Sequence, residues 1–324
     1  MTMTSTPSQA GSTGIGLGGL GYAIGDSLPI EKAVPEDTPA ELLDKLRAHG
    51  FVHCSVAQET PAGLAARSVA ESLAVSGVDP ARVDAVLYGT CSYWGEGQPP
   101  PGDPAALTRT LARVVLEPLG LGHAVLSLVG LAESGNTGSV LRLAQALVAA
   151  GVHRTVLCVS SDAVPPLPGE YRAMPNAVTV NGDGAASCLV SSEFPGEFRL
   201  DSTVQHSSAA MRGLVKGEGL RKHLEIVKGV RACRAALDTP PGGFARMVSN
   251  HYSAPVLAEF AALADVAPER LHTANIARLG HCFAADTLID LADLHREGLI
   301  GPGEAVLMLT TGPSTWGMTA VRAR

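Results

Sequence analysis

Three side chains in this sequence sit where a reactive group would. Ser134 lies in Leu131-Ala132-Glu133-Ser134-Gly135-Asn136, between an apolar strand-like run and a strongly apolar helix. A side chain there points into the space at a helix N-terminus, where the positive end of the helix favours developing negative charge. Serine is also a common helix cap, and position alone favours that plainer reading. His251 and His281 each follow a predicted strand and precede a predicted helix. One histidine in such a place is usually structural. Two at equivalent points, each preceded by a small or polar residue, point more toward function.

Other motifs carry less. Gly14-x-Gly16-x-x-Gly19 has the spacing of a dinucleotide fingerprint, but no helix is predicted to open at Gly19 to hold a phosphate. Asn181-Gly182-Asp183-Gly184-Ala185 reads as a hairpin turn, and no Gly-Lys-Ser/Thr follows to make a phosphate loop. The six cysteines include no C-x-x-C pair, so neither a zinc site nor a redox motif is indicated. No third ligand with compact spacing joins the two histidines, so no metal is expected. Cys91 and Cys282 are reserve nucleophiles, and Arg172 and Arg212 are candidate contacts for a donor's phosphates.

The elements that must position these residues follow from periodicity. Thr60-Pro61 opens a helix, with a Thr cap and Pro in the first turn. Strands are predicted at 14–25, 83–87, 125–129, 155–160, 185–191, 198–205, 241–248, 273–277, 305–309 and 318–322, with helices at 105–115, 138–150, 253–263 and 284–294. Strands alternating with helices of this length predict α/β layers. The same strand-helix-strand order occurs twice, which predicts two similar halves, 1–195 carrying Ser134 and 196–324 carrying the two histidines. Pro- and Gly-rich loops from Trp94 to Pro104 and from Val164 to Pro175 are expected to shape the pockets.

Composition bounds the class. The 324 residues are 46% hydrophobic and 17% charged, as in a compact enzyme with a large core. A net charge of −7 with no basic run argues against nucleic acid. No apolar run approaches the roughly 20 residues needed to span a bilayer. The polar N-terminus lacks the form of a signal peptide and reads as a short disordered leader, so the cytoplasm is the expected compartment.

Taken in order, these segments resemble the ketosynthase III family. The stretch TPAGLAARSVAESLAVSGVDPARVDAVLYGTCS (60–92) is similar to its first helix and strand. Ser134 to Asp162 is similar to its nucleophile helix and the strand after it. Asn181 to Ala186 resembles its GDGA turn, Asn250-His251 its Pro-His segment, and Thr311-Gly-Pro-Ser-Thr-Trp-Gly317 its ending, while Leu279-Gly280-His281 falls where the family has Gly-Asn. The resemblance implies a thiolase-like fold, two similar halves in five αβαβα layers, and a homodimer. The family's Cys-His-Asn set falls on Ser134, His251 and His281. With serine for cysteine and no Asn amide, the resemblance implies an acyltransferase. The acyl group of a coenzyme A or carrier-protein phosphopantetheine thioester passes to Ser134, then to a small-molecule alcohol or amine, as in antibiotic or polyketide pathways. His251 is expected as the base, and His281 as its orienting partner or a donor to the carbonyl oxygen. No resident cofactor is implied. Two alternatives stay open: a starter-unit ketosynthase forming a carbon–carbon bond, and a non-catalytic partner of an active ketosynthase. Pro313 stands where the family's Gly-rich loop offers an N–H, and proline has none. A register shifted by one would restore Gly312.

Overall fold

The computed structural model describes residues 14–92, 104–130, 132–165, 172–174, 176–214, 218–238 and 243–324. The leader, most of the loop from Trp94 to Pro104 and much of that from Val164 to Pro175 lie outside the described residues.

In chain order the elements are β1 (Gly16–Ile24), β2 (Asp26–Pro29), α1 (Ile30–Ala33), α2 (Ala40–Ala48), β3 (His53–Val56), α3 (Pro61–Ser76), β4 (Ala85–Gly89), α4 (Pro104–Leu111), β5 (Val125–Val129), α5 (Asn136–Ala149), β6 (Thr155–Asp162) and β7 (Gly184–Ser191). Then come β8 (Phe198–Ser207), α6 (Ala209–Arg212), α7 (Gly219–Ala236), β9 (Arg246–Ser249), α8 (Ala254–Leu263), α9 (Ile276–Leu279), α10 (Asp286–Arg296), β10 (Ala305–Gly312) and β11 (Thr315–Ala323). The local signals at α3 act as expected: the Thr60 side chain accepts from Gly63 N at 3.2 Å, Pro61 is the first helical residue, and Gly77 closes the helix at φ 64°.

Nine strands form one continuous sheet in the order β5-β4-β6-β7-β1-β8-β11-β10-β9. Outward from the β1–β8 junction, both sides follow one plan. On one side β1–β7 and β7–β6 are antiparallel, and β6–β4 and β4–β5 are parallel. On the other, β8–β11 and β11–β10 are antiparallel and β10–β9 is parallel. The place of β5 is taken there by a single parallel bridge from Met247 to Leu271. The strand expected over 273–277 is therefore absent. The chain turns instead, because Asn275 sends its side-chain amide to Asp290 and Asp293 while its carbonyl accepts from Leu279 N and starts α9.

Helices α5 and α10 lie between the two sides of the sheet. α5 touches β4, β6 and β7 on one side and β8, β10 and β11 on the other; α10 touches β1, β7, β9 and β10. α3 covers the outer face of β1 and β7, and α7 covers that of β8 and β11. This gives five layers, αβαβα. β6 and β7 are buried along their whole length, which is why they read as unbroken runs of small and apolar residues. The Gly14–Gly19 run enters β1 and shifts its register between Gly18 and Gly21, with no helix after it. Sequence periodicity left out β2, β3, α2 and α7.

Candidate active site

Ser134 sits in a single 3-10 turn, Glu133–Gly135, that leads directly into α5. Glu133 holds φ 49°, a left-handed conformation that bulky L-residues rarely adopt. That kink aims Ser134 out of the helix start, and its Oγ meets His281 Nε2 at 2.9 Å. The opposite ring nitrogen, Nδ1, lies 2.5 Å from Asp286 Oδ2. Ser134, His281 and Asp286 thus form one hydrogen-bonded line, all buried. A carboxylate on Nδ1 fixes the tautomer with its proton there, leaving Nε2 to accept from the serine.

The backbone of His281 is clamped by the segment expected to be a simple hairpin turn. His281 N donates to Val180 O at 2.7 Å, and Gly182 N donates to His281 O at 2.8 Å. Asn181 pairs in parallel with His281 instead of turning back on a preceding strand. Asp183 anchors this segment: its carboxylate accepts from Ala57 N, from Val164 N and from both terminal nitrogens of Arg172. Arg172 is therefore paired within the fold and does not serve a donor's phosphate from that position. Arg212 is exposed and close enough to Glu133 to influence its carboxyl, which burial raises and Arg212 lowers, with a net rise.

His251 lies elsewhere than expected. Its ring is buried behind Asp286, with Nδ1 2.7 Å from Gly280 O and 3.1 Å from Asp286 Oδ1, and Nε2 3.0 Å from Asp290 Oδ1. Both ring nitrogens are engaged away from the serine, so the structure brings Ser134 to His281 and not to His251. Burial would lower the His251 pKa, but Asp286 and Asp290 outweigh it and raise it to about 9. Burial would likewise raise the Asp286 carboxyl; the facing His251 and His281 outweigh that and hold it below its ordinary value.

Three further residues were not singled out by the sequence. Asp286 falls in the first turn of α10, five residues after His281, and an acidic residue at that spacing on a helix start is the only signal that could have found it. Asn250 ties the site together. Its amide donates to Ser134 O at 3.1 Å and Phe283 O at 3.0 Å, and its Oδ1 accepts from Thr311 N at 2.8 Å. Tyr252 packs its ring 5.1 Å from that of His281, and its hydroxyl accepts from Thr311 Oγ1 at 3.2 Å. Burial pushes its phenol up to about 12.

The line opens into a cavity of about 420 Å³, largely apolar, walled by Met211, Ile226, Val256, Phe260 and Trp316 among others. Cys91 reaches the same cavity, but burial together with Asp162 and Glu133 pushes its thiol far up, so it holds its proton. Cys282 is fully buried with its thiol also raised, chiefly by burial. Neither is an activated nucleophile. At the end of β10, Gly312 packs against the serine's turn: a Cβ there would stand 2.0 Å from Ala132 O. Gly312, ahead of Pro313, therefore brings its backbone against the Ser134 turn. Among the described residues no group of three or more His, Cys, Asp or Glu could hold a metal ion, and no helix is long and apolar enough to cross a membrane.

Residues 238–323 match the family model described as 3-oxoacyl-[acyl-carrier-protein (ACP)] synthase III C terminal. No curated protein sequence matches the chain. Among solved structures, ChlB3, described as an acyltransferase, is similar with a TM-score of 0.77 at 21% identity, over 96% of this chain and 98% of that one. The 3-oxoacyl-[acyl-carrier-protein] synthase III of Aquifex aeolicus VF5 gives 0.75 at 19% identity, over 95% and 100%. A cysteine-to-serine variant of Xanthomonas campestris OleA, with lauric acid and lauroyl-CoA bound, gives 0.72 at 15% identity, over 95% and 99%. The chain has the thiolase-like α/β fold of the 3-oxoacyl-acyl-carrier-protein synthase III structures.

Proposed function

We propose that this chain is an acyltransferase that works through an ester on Ser134. The observation that carries the reading is the line Ser134 Oγ–His281 Nε2, 2.9 Å, and His281 Nδ1–Asp286 Oδ2, 2.5 Å, at the wall of an apolar cavity. A hydroxyl is a weak nucleophile unless a neighbouring base takes its proton during attack, and this arrangement supplies one.

In the first step His281 Nε2 takes the Ser134 proton while Oγ attacks the carbonyl carbon of an acyl thioester. The carbon–sulfur bond then breaks, and the thiolate leaves with the proton from His281. In the second step an alcohol or amine enters and loses its proton to His281. It attacks the ester carbonyl, and the bond to Ser134 Oγ breaks as the proton returns to the serine. Asp286 keeps the imidazole oriented and stabilises its cationic form in both transition states. The N-terminus of α5 and the nearby backbone of Gly312 favour the negative charge on the carbonyl oxygen. The donor is a coenzyme A or carrier-protein thioester. Lauroyl-CoA bound to a serine variant of a structurally similar protein supports a donor of that class. The cavity's apolar walls suit a hydrocarbon or aromatic acyl group.

Intact-mass analysis after incubation with acyl-CoA or acyl carrier protein thioesters tests this. One acyl group added to the wild type, none added to Ser134→Ala, and discharge by an alcohol or amine are expected. Discharge only with a malonyl thioester and release of carbon dioxide would replace transfer by condensation. An unlabelled wild type with every donor would leave the non-catalytic partner.

A further inference from the structure

Behind the serine line stands a second pair. We propose that His251 and Asp290 form a buried dyad that holds the Asp286 carboxylate in place and offsets its charge, so that His281 stays free to accept the Ser134 proton. This rests on the acyl-transfer reading and deepens it: His251 is a positioning residue that acts through Asp286.

The geometry fixes the protonation of His251. A ring nitrogen facing an oxygen acceptor donates only if it carries a hydrogen. Nδ1 faces Gly280 O at 2.7 Å and Asp286 Oδ1 at 3.1 Å, and Nε2 faces Asp290 Oδ1 at 3.0 Å. Gly280 O can only accept, so Nδ1 carries a hydrogen, and opposite an ionised Asp290 Nε2 carries one too, which makes the ring a cation. Its own backbone N–H also donates to Asp286 Oδ2, at 2.8 Å. Asp286 then receives three hydrogen bonds, from His281 Nδ1 and His251 N on Oδ2 and from Cys282 N on Oδ1, and His251 Nδ1 stands 3.1 Å from Oδ1 as an ion pair. A carboxylate gripped on both oxygens cannot rotate away from His281.

The charges alternate along the line: imidazole at His281, carboxylate at Asp286, imidazolium at His251, carboxylate at Asp290. The charged and titratable groups facing His251 are Asp286 and Asp290 on α10 and His281 in the turn before it. His272 stands 3.9 Å from Asp290 Oδ1, and Asn275 donates to the same oxygen at 2.8 Å, linking it to Asp293 and Arg278. A raised His251 pKa, about 9, agrees with the cation. Without the cation, the full charge of Asp286 would favour a proton on His281, which must be neutral to act as base.

The test is the pH dependence of Ser134 acylation in His251→Gln, read as the rate of adduct formation. The glutamine keeps a hydrogen-bonding side chain and loses the charge. The rate should reach its plateau at a pH higher by about one unit or more, so that below the plateau the variant is about tenfold slower or worse. An unmoved acidic limb with a uniformly lower rate would overturn the proposal and make His251 a packing residue. If the variant does not fold, nitrogen-15 NMR of histidine-labelled wild type decides. Two protonated ring nitrogens on His251 at pH 7.5 support the dyad, and a neutral ring overturns it. A wild type that never acylates Ser134 strikes the acyl-transfer reading itself, which the NMR result leaves separate.

Discussion

The turn that starts α5 and the turn that starts α10 have the same build and carry different chemistry. Each is a single 3-10 turn, Glu133–Gly135 and Phe283–Ala285, opened by a non-glycine residue in the left-handed region, φ 49° and 52°. In each the third residue of the turn donates its N–H to the carbonyl three back, Gly135 to Ala132 and Ala285 to Cys282. In each the first helical side chain reaches back four residues to a backbone N–H. Asn136 accepts from Ala132 N at 3.2 Å, and Asp286 accepts from Cys282 N at 2.7 Å. The turns touch: Thr137 Oγ1 donates to Ala284 O, and one amide, Asn250, spans Ser134 O and Phe283 O. Where the first turn has Ser134, the second has Ala284. Where the first has the neutral Asn136, the second has the charged Asp286. A shared scaffold thus presents a buried hydroxyl on one side and a buried carboxylate on the other, with His281 between them.

Ser134→Ala makes the two turns alike at the nucleophile position. Acyl-adduct formation should fall about a million-fold, to background, as measured by intact mass and by thiol release. Asp286→Asn gives the second turn the amide of the first. The isosteric amide keeps the shape but favours the wrong tautomer of His281, so the acylation rate should fall about ten-thousand-fold with the thermal midpoint less affected than the rate.

Charge also separates the two turns in their response to pH. His251, beside the second turn, has a folded pKa raised to about 9 from 6.5. A raised pKa adds stability that is complete below the unfolded value and is lost as pH rises through the folded one. Thermal stability should therefore decline between about pH 6.5 and pH 9, and His251→Gln should flatten that slope. Asp286 has the opposite sign: its lowered pKa adds stability at neutral pH that is lost under acid. The converse exchange, Asn136→Asp, gives the smallest effect. It places a carboxylate where the amide donates to Thr90 O at 3.0 Å, and should cost about 1–3 kcal/mol by chemical denaturation.

Much of this was legible beforehand. The strand runs at β4 to β7 and the capped helix α3 read cleanly, because full burial leaves apolar runs and a Thr-Pro start leaves a local signature. Ser134 and His281 read as candidates because both precede central helices. His251 was expected as the base because it falls on the histidine of the family's Cys-His-Asn set, and a sequence match carries no information on which way a ring turns. Its direction is set by Asp290, one helical turn beyond Asp286, so the two carboxylates face the same side of α10. Asp286 looked like an ordinary acidic residue in a helix's first turn, a favourable place for any carboxylate.

The amide of Asn250 has a consequence for biosynthesis. Residues 134 and 281 are far apart in the chain, and the group that fastens both turns lies between them, at 250. As the polypeptide emerges from the ribosome, its serine precedes by well over a hundred residues the imidazole that can activate it. On the acyl-transfer reading proposed above, a nascent or truncated chain ending before Asn250 would hold a hydroxyl with neither its base nor its fastening amide.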